Sequence, residues 1–319
     1  MTIRAVVDAE FDAVNQFIIE QLHSDVPLVE NIGHYIIEAG GKRMRPLLVL
    51  LSAGSCGGLN QRCVELATVI EFIHTATLLH DDVVDMSAMR RGRPTANEQW
   101  NNPSSVLVGD FIYSRAFQIL VRLGSMDIMS IIADTTNRIA EGEVMQLLNK
   151  HNPLSKESGY REVIHNKTAI LFQAAAECAA ILAGAEAQQR QALKSVGLHI
   201  GTAFQLIDDV LDYTGDSKEM GKNIGDDLAE GKPTLPLIYA IEHSNQADSR
   251  LIQDCIRHGG REHLDQIIQI IQNSGALEYT RQSAESEVDS ALTALSLLPA
   301  SRYRDALEAM SKLALNRSS

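Results

Sequence analysis

Apolar residues recur at three- and four-residue intervals along almost the whole chain, the period of a helix with one buried face. The pattern predicts helices over 8–22, 28–39, 45–56, 60–84, 104–123, 126–150, 159–183, 187–214, 233–243, 247–257, 262–273, 276–297 and 302–315. The eight prolines (27, 46, 94, 103, 153, 233, 236 and 299) fall near the ends of these segments, where a missing N–H is tolerated. Alternating β-branched runs are absent, as are Pro- or Ser-rich linkers, low-complexity tracts and repeats of 20–50 residues. The expectation is an all-α fold, a single domain spanning residues 1–319. The stretch from Thr168 to Gly184 is apolar nearly all round, which places its helix inside a large bundle. Its small residues either permit close helix approach or leave room for a ligand.

Composition agrees with helix. Aromatics make up 5% of the 319 residues, while Ala, Leu, Ile, Glu and Gln are plentiful. With 45% hydrophobic residues the chain is able to bury a sizeable core. A net charge of −13 speaks against a nucleic-acid partner, which asks for a basic face. It leaves room for anionic substrates wherever Arg and Lys cluster locally. Cys56, Cys63, Cys178 and Cys255 show no C-x-x-C spacing and read as free thiols of a reducing compartment. Residues 1–8 lack the apolar core of a signal peptide, and no uncharged apolar run approaches the roughly 20 residues that span a bilayer. A soluble cytoplasmic protein is expected.

Candidate chemistry begins with two acidic clusters, Asp81-Asp82-Val83-Val84-Asp85 and Asp208-Asp209-Val210-Leu211-Asp212. Each has the form D-D-x-x-D and each ends an apolar helical stretch. Positions i and i+4 lie about 6 Å apart along one helix face, so Asp81 pairs with Asp85 and Asp208 with Asp212. Clustered carboxylates repel one another unless a cation intervenes, and Mg²⁺ bridges a few carboxylates to substrate phosphates. One such cluster reads equally well as a solvated helix end. The repetition favours a metal cage for a polyphosphorylated substrate, formed if the two patches face each other.

Three basic segments accompany the acids: Gly40 to Pro46 with Lys42, Arg43 and Arg45; Met89 to Thr95 with Arg90, Arg91 and Arg93; and Gly221 to Thr234 with Lys222 and Lys232. Glycines let backbone approach an anion, and Lys and Arg supply charge-assisted donors. Singly, each reads as a charged surface loop. Together, acids for Mg²⁺ and cations for phosphate oxygens beside an apolar interior imply a diphosphate head on a hydrocarbon tail. No Walker loop or kinase signature is present.

At these residues the chain resembles the trans-prenyltransferases, the head-to-tail polyprenyl diphosphate synthases of the isoprenoid synthase fold. The matching blocks are Gly41 to Pro46, His74 to Asp85, Arg90 to Thr95, Asn166-Lys167-Thr168, Gln205 to Asp212 and Gly221 to Pro236, in family order from about residue 40 to 240. The resemblance implies one large helical bundle around a deep central cavity. It also implies a reaction in which Mg²⁺ draws diphosphate from an allylic substrate and isopentenyl diphosphate attacks the resulting carbocation. Loss of a proton, with the departing diphosphate as acceptor, gives a chain five carbons longer. By the same resemblance Asp81 and Asp85, supported by Asp82, bind two Mg²⁺ ions, and Asp208 with Asp212 holds a third. Arg90, Lys167, Thr168, Gln205, Lys222 and Lys232 serve the allylic diphosphate; Lys42, Arg45, His74 and Arg91 serve isopentenyl diphosphate. The chief catalytic set is Asp81, Asp85, Arg90, Lys167 and Asp208. A homodimer is implied, with transient membrane contact when the product leaves.

Product length follows from the helix that carries Asp81. A tail running from the metals toward that helix's N-terminus meets Ala76 and Thr77, where short-chain members of the family place bulky aromatic residues as a floor. Without that floor the tail passes at least one further turn, about 5.4 Å. A product of about C40 is expected, by resemblance to bacterial quinone side-chain synthases. A C15–C20 synthase is the nearest alternative, and the small residues at 76 and 77 count against it. A terpene cyclase would not need Gly41 to Pro46 or the Arg90-Arg91-Gly92 loop. A non-catalytic subunit would have lost motif residues, and none is missing. A simple Ca²⁺-binding or scaffold bundle would leave the basic loops unexplained.

Overall fold

In a computed structural model, which describes residues 3–214 and 224–316, the chain is helical almost from end to end. A 3-10 turn (Ile3–Val6) precedes α1 (Asp8–Gln21), α2 (Pro27–Glu38), α3 (Met44–Ser55) and α4 (Gln61–Val84). A hairpin of β1 (Met89–Arg90) and β2 (Arg93–Pro94) leads to α5 (Ala96–Gln99), α6 (Asn102–Leu123), α7 (Met126–Asn149) and α8 (Glu157–Ile164). A π turn (His165–Ala169) joins α8 to α9 (Ile170–Leu182), followed by α10 (Ala187–Thr214). The rest is α11 (Asp226–Ala229), α12 (Leu235–His243), α13 (Gln246–His258), α14 (Leu264–Asn273), α15 (Ala276–Leu295) and α16 (Arg302–Leu315).

Local chemistry sets the helix ends. Asn60 accepts from the Arg62 N–H at 3.0 Å, Asn101 from Ser104 at 2.8 Å and Asn245 from Ala247 at 2.9 Å, each capping donors that a first turn leaves unpaired. Proline occupies the first turn of α2, α6 and α12. The helices expected from periodicity are present with ends shifted by two residues or fewer, except that 159–183 is three pieces. The π turn interrupts it because one residue is added to a turn without disturbing apolar spacing. The hairpin, α5 and α11 are additions that periodicity does not signal.

The chain gathers into two compact units, one drawn from Met1–Thr136, Leu171–Gly197 and Leu292–Met310, the other from Asn137–Ile170, Leu198–Ala291 and Ser311–Ser319. In the first, α4 packs against α1, α3 and α6, and α3 is buried from Pro46 to Ser55. Close approach is specific: a Cβ on Gly109 of α6 would lie 2.4 Å from His80 Nε2 of α4. The apolar stretch beginning at Leu171 is buried as expected, with Phe172, Ala175, Ala176, Cys178, Ala179 and Ala180 sealed from solvent. Buried Glu177 accepts from Arg190 at 2.9 Å and pairs with Lys194 at 3.1 Å, tying α9 to the start of α10. In the second unit Val210, Tyr213, Leu228, Leu237, Ile252, Ile256, Ile267 and Ile271 share one core among α10 to α14.

Candidate active site

The first acidic cluster occupies the C-terminal end of α4, with Asp81 and Asp82 in the last turn and Asp85 capping it. A helix C-terminus carries partial negative charge, so carboxylates there face the wrong end of the dipole as well as each other. Asp82 is fully buried, and Arg90 grips it: Nε and Nη2 donate to Oδ1 at 2.9 and 2.7 Å, and Nε also reaches Oδ2 at 3.1 Å. Asp82 therefore supports the cluster by anchoring Arg90. Asp81 and Asp85 are partly exposed, one helical turn apart.

Arg90 is held in place by the hairpin. Met89 pairs with Pro94 and Arg90 with Arg93, leaving Arg91-Gly92 as a two-residue loop with φ of 53° and 74°. Positive φ at both positions is the turn that matches strand twist, but it strains a non-glycine residue such as Arg91. Thr95 closes the base, donating from Oγ1 to the Ser87 carbonyl at 2.6 Å and from its N–H to Ala88 at 3.0 Å. The loop meets the Gly40–Pro46 segment directly. A Cβ on Gly41, at φ +141°, would strain the backbone and sit 2.7 Å from the Arg91 guanidinium, displacing it.

That segment leads into α3, placing Lys42, Arg43 and Arg45 at the positive end of a helix dipole. Arg45 lies over the Phe172 ring, 4.3 Å from its centroid. Two residues of α4 face these cations. Burial pushes the Glu71 carboxyl up, against the opposing pull of Arg45, Arg43 and Arg91. His74 is held well below its ordinary value, first by burial and then by Arg45, Arg91 and Arg90. Its imidazole is neutral at neutral pH and offers one N–H donor. Burial also lowers Arg91, with Glu71 countering. One unit thus brings together Arg45, Arg90, Arg91 and His74, with Lys42 beside them in sequence. Further up α4, Ala76 is fully buried and Thr77 donates to the His74 carbonyl at 2.8 Å.

In the second unit α10 ends with Asp208, Asp209 and Asp212, again against the negative dipole end. Asp209 is 1% exposed and accepts from Tyr160 at 2.5 Å and from Gln205 at 2.9 Å. Burial, then the nearby Asp227 charge, raises its carboxyl well above the ordinary range, with the Tyr160 and Gln205 bonds pulling the other way. Gln205 in turn accepts from Thr168 at 3.0 Å. Lys167 Nζ pairs with Glu143 at 2.7 Å, and a Cβ on Gly142 would lie 2.8 Å from the Lys167 backbone nitrogen, so α7 and the π turn nearly touch. Asp212 accepts from the Asp227 N–H at 3.3 Å, and Lys232 pairs with Glu230 at 2.7 Å. Lys222 lies outside the described residues. The outer face of α8 is steadied by Arg161, which bonds Glu157 at 2.7 Å and pairs with Glu287 at 3.5 Å.

Glu71, Glu143 and Tyr160 belong to these networks and carry no motif of their own, while Asp227 lies within the Gly221 to Pro236 block. Of the first three, Glu71 alone leaves a trace in the sequence, as one acid in the apolar run before His74 on the same helix. The donor set suits a hard cation, since each cluster offers carboxylates one turn apart and nothing soft. Among the described residues no three acidic, His or Cys side chains converge on one ready-made metal point.

Residues 26–273 match the polyprenyl synthetase family profile. The chain is 50% identical to octaprenyl diphosphate synthase of Haemophilus influenzae over 316 residues, 99% of this chain and 96% of that protein. It is 51% identical to an all-trans-nonaprenyl-diphosphate synthase (geranyl-diphosphate specific) of Rhodobacter capsulatus, covering 99% and 97%. A crystal structure of a polyprenyl synthase from Caulobacter crescentus CB15, complexed with calcium and isoprenyl diphosphate, superposes with a TM-score of 0.96 at 41% identity, covering 99% and 97%. The all-α architecture is that of the isoprenoid synthase fold.

Proposed function

The chain belongs to the polyprenyl synthetase family and makes a long all-trans polyprenyl diphosphate, and we propose that it does so by extending farnesyl diphosphate with isopentenyl diphosphate to about C40, as a Mg²⁺-dependent homodimer. The observation that carries the mechanism is the first unit's pairing of an acidic helix end, Asp81 and Asp85, with a guanidinium cluster around Glu71 and His74. One part suits a metal-bound diphosphate and the other a diphosphate held by cations alone, which is what two diphosphate substrates require.

Asp81 and Asp85 would hold two Mg²⁺ ions, and Asp208 with Asp212 a third. When bound, the ions neutralise charge on the leaving diphosphate. Arg90, fixed by Asp82, aims its remaining donors at the allylic diphosphate. Lys167, Thr168, Gln205, Lys222 and Lys232 are the further residues assigned to an allylic diphosphate. Lys42, Arg45 and Arg91 hold isopentenyl diphosphate, and neutral His74 adds one N–H without adding charge. Apolar walls keep water from the allylic cation, and the departing diphosphate takes the proton. Ala76 and Thr77 leave the tail unobstructed beside the metals. A product of this length suits the side chain of ubiquinone. Its insolubility supports brief contact with a membrane by an otherwise cytoplasmic enzyme. The one described helix apolar enough to cross a bilayer, α4, is mostly buried and carries the site.

The test is direct. Purified protein is incubated with Mg²⁺, labelled isopentenyl diphosphate and either farnesyl or geranyl diphosphate, and product chains are sized. Farnesyl diphosphate should give mainly C40. Products no longer than C20 would overturn the length, no incorporation would overturn the activity, and a strict demand for geranyl diphosphate would align the starter with the R. capsulatus relative.

A further inference from the structure

Asp209 is gripped from two sides. Tyr160 of α8 donates to Oδ2 at 2.5 Å, and Gln205, one turn earlier on α10, donates through Nε2 to Oδ1 at 2.9 Å. Gln205 Oε1 accepts from Thr168 of the π turn at 3.0 Å. Gln205 thus turns its nitrogen to Asp209 and its oxygen to Thr168. That choice removes the twofold ambiguity of the amide and leaves its second N–H for a ligand.

The π turn has a place in this arrangement. Tyr160 and Thr168 are eight residues apart on one continuous helical path. In a regular α-helix eight residues overshoot two turns by about 80°. A π turn absorbs roughly one extra residue and cancels most of that overshoot. Thr168 thereby returns to the face of Tyr160, and the two side chains hold the Gln205–Asp209 pair at its two ends. Tyr160 is 6% exposed and Asp209 1%, so water does not readily replace the hydroxyl.

We propose that Tyr160 is a positioning residue for the allylic diphosphate: by occupying Oδ2 of Asp209 it orients the Gln205 amide and, with it, the Thr168 hydroxyl. The inference rests on the assignment of Gln205 and Thr168 to that substrate made above.

Binding of farnesyl diphosphate with Mg²⁺, without isopentenyl diphosphate, is measured by calorimetry for wild type, Tyr160→Phe, Gln205→Ala and the double variant. Tyr160→Phe should raise Kd about tenfold, the scale of one hydrogen bond to a charged group, while KM for isopentenyl diphosphate stays within about twofold. The double variant should bind no more weakly than Gln205→Ala alone, because Tyr160 acts through Gln205. Additive losses, or an unchanged Kd, overturn the proposal. Should Tyr160→Phe lose its helical circular dichroism, Asp209→Asn takes its place with the same expected weakening and the same non-additivity. Wild type that binds and extends farnesyl diphosphate while the cycle is additive removes only this inference. Wild type that does neither removes the allylic reading and this inference with it.

Discussion

His74 is a base placed where protonation is costly. It lies on α4 against Arg45, Arg91 and Arg90, with Glu71 one turn earlier as the opposing charge. Burial first, and then those guanidinium groups, hold it well below the ordinary value of 6.5. As pH falls through 6.5 the unfolded chain takes up a proton that the folded chain refuses. The stability contributed by this neutral imidazole is therefore complete above that pH and declines below it. Glu71 works in the opposite sense: its raised carboxyl gives stability that is complete below its ordinary 4.5 and is lost as pH rises. His74→Gln isolates the imidazole, because it keeps a donor of similar size and does not titrate. Wild-type Tm should fall more steeply than that of the variant between pH 7 and about pH 5. Parallel curves would mean that His74 titrates as an exposed histidine and that the guanidinium cluster does not press on it.

At the scale of elements, α4 is a ruler with the metal end marked. Ala76 lies five residues before Asp81, about 7.5 Å along the axis. Ala76 is fully buried, which fits either a tunnel wall or ordinary packing. Ala76→Phe separates the two. A ring projecting into a tunnel should shorten the products while turnover and Tm hold; a ring forced into packed core should lower Tm by the equivalent of about 1–3 kcal/mol and leave chain length alone. The helices were readable in advance because their apolar faces repeat with the helical period, and that signal survives over long stretches. The π turn was not, since an inserted residue shifts Thr168 without altering which residues are apolar. Nor was the hairpin, whose Arg91 adopts φ 53° for the sake of its position rather than its propensity. Asp81, Arg90 and Gln205 were legible through their motifs. Glu143, which pairs with Lys167, and Tyr160, which bonds Asp209, were not, because the contacts that define them join residues far apart in the chain. Tyr160 and Asp209 are 49 residues apart.

Over the whole molecule, charge is set against the helices in three places. Asp81 and Asp85 end α4, Asp208 and Asp212 end α10, and Lys42, Arg43 and Arg45 begin α3, each group at the end whose partial charge it shares. Such placements cost about 0.3–1 kcal/mol per exposed charge, and a net charge of −13 adds general repulsion to the acidic ones. The sign of each misplacement matches a ligand: cations at the two acidic ends, diphosphate at the basic one. Ligands that bind only the folded chain raise its stability by mass action, so Mg²⁺ together with inorganic diphosphate should raise Tm by several degrees. Mg²⁺ alone or diphosphate alone supplies only one half of that pair, and either should do less. Asp81→Ala then has an outcome opposite to that of most substitutions. It should abolish turnover and remove much of the ligand-induced shift, yet leave the ligand-free Tm unchanged or slightly raised, because a repelled charge has gone and no core packing has. Asp208→Ala should behave alike. A ligand-free Tm several degrees below wild type in either variant would instead give that aspartate a structural task and break the link between misplaced charge and metal binding.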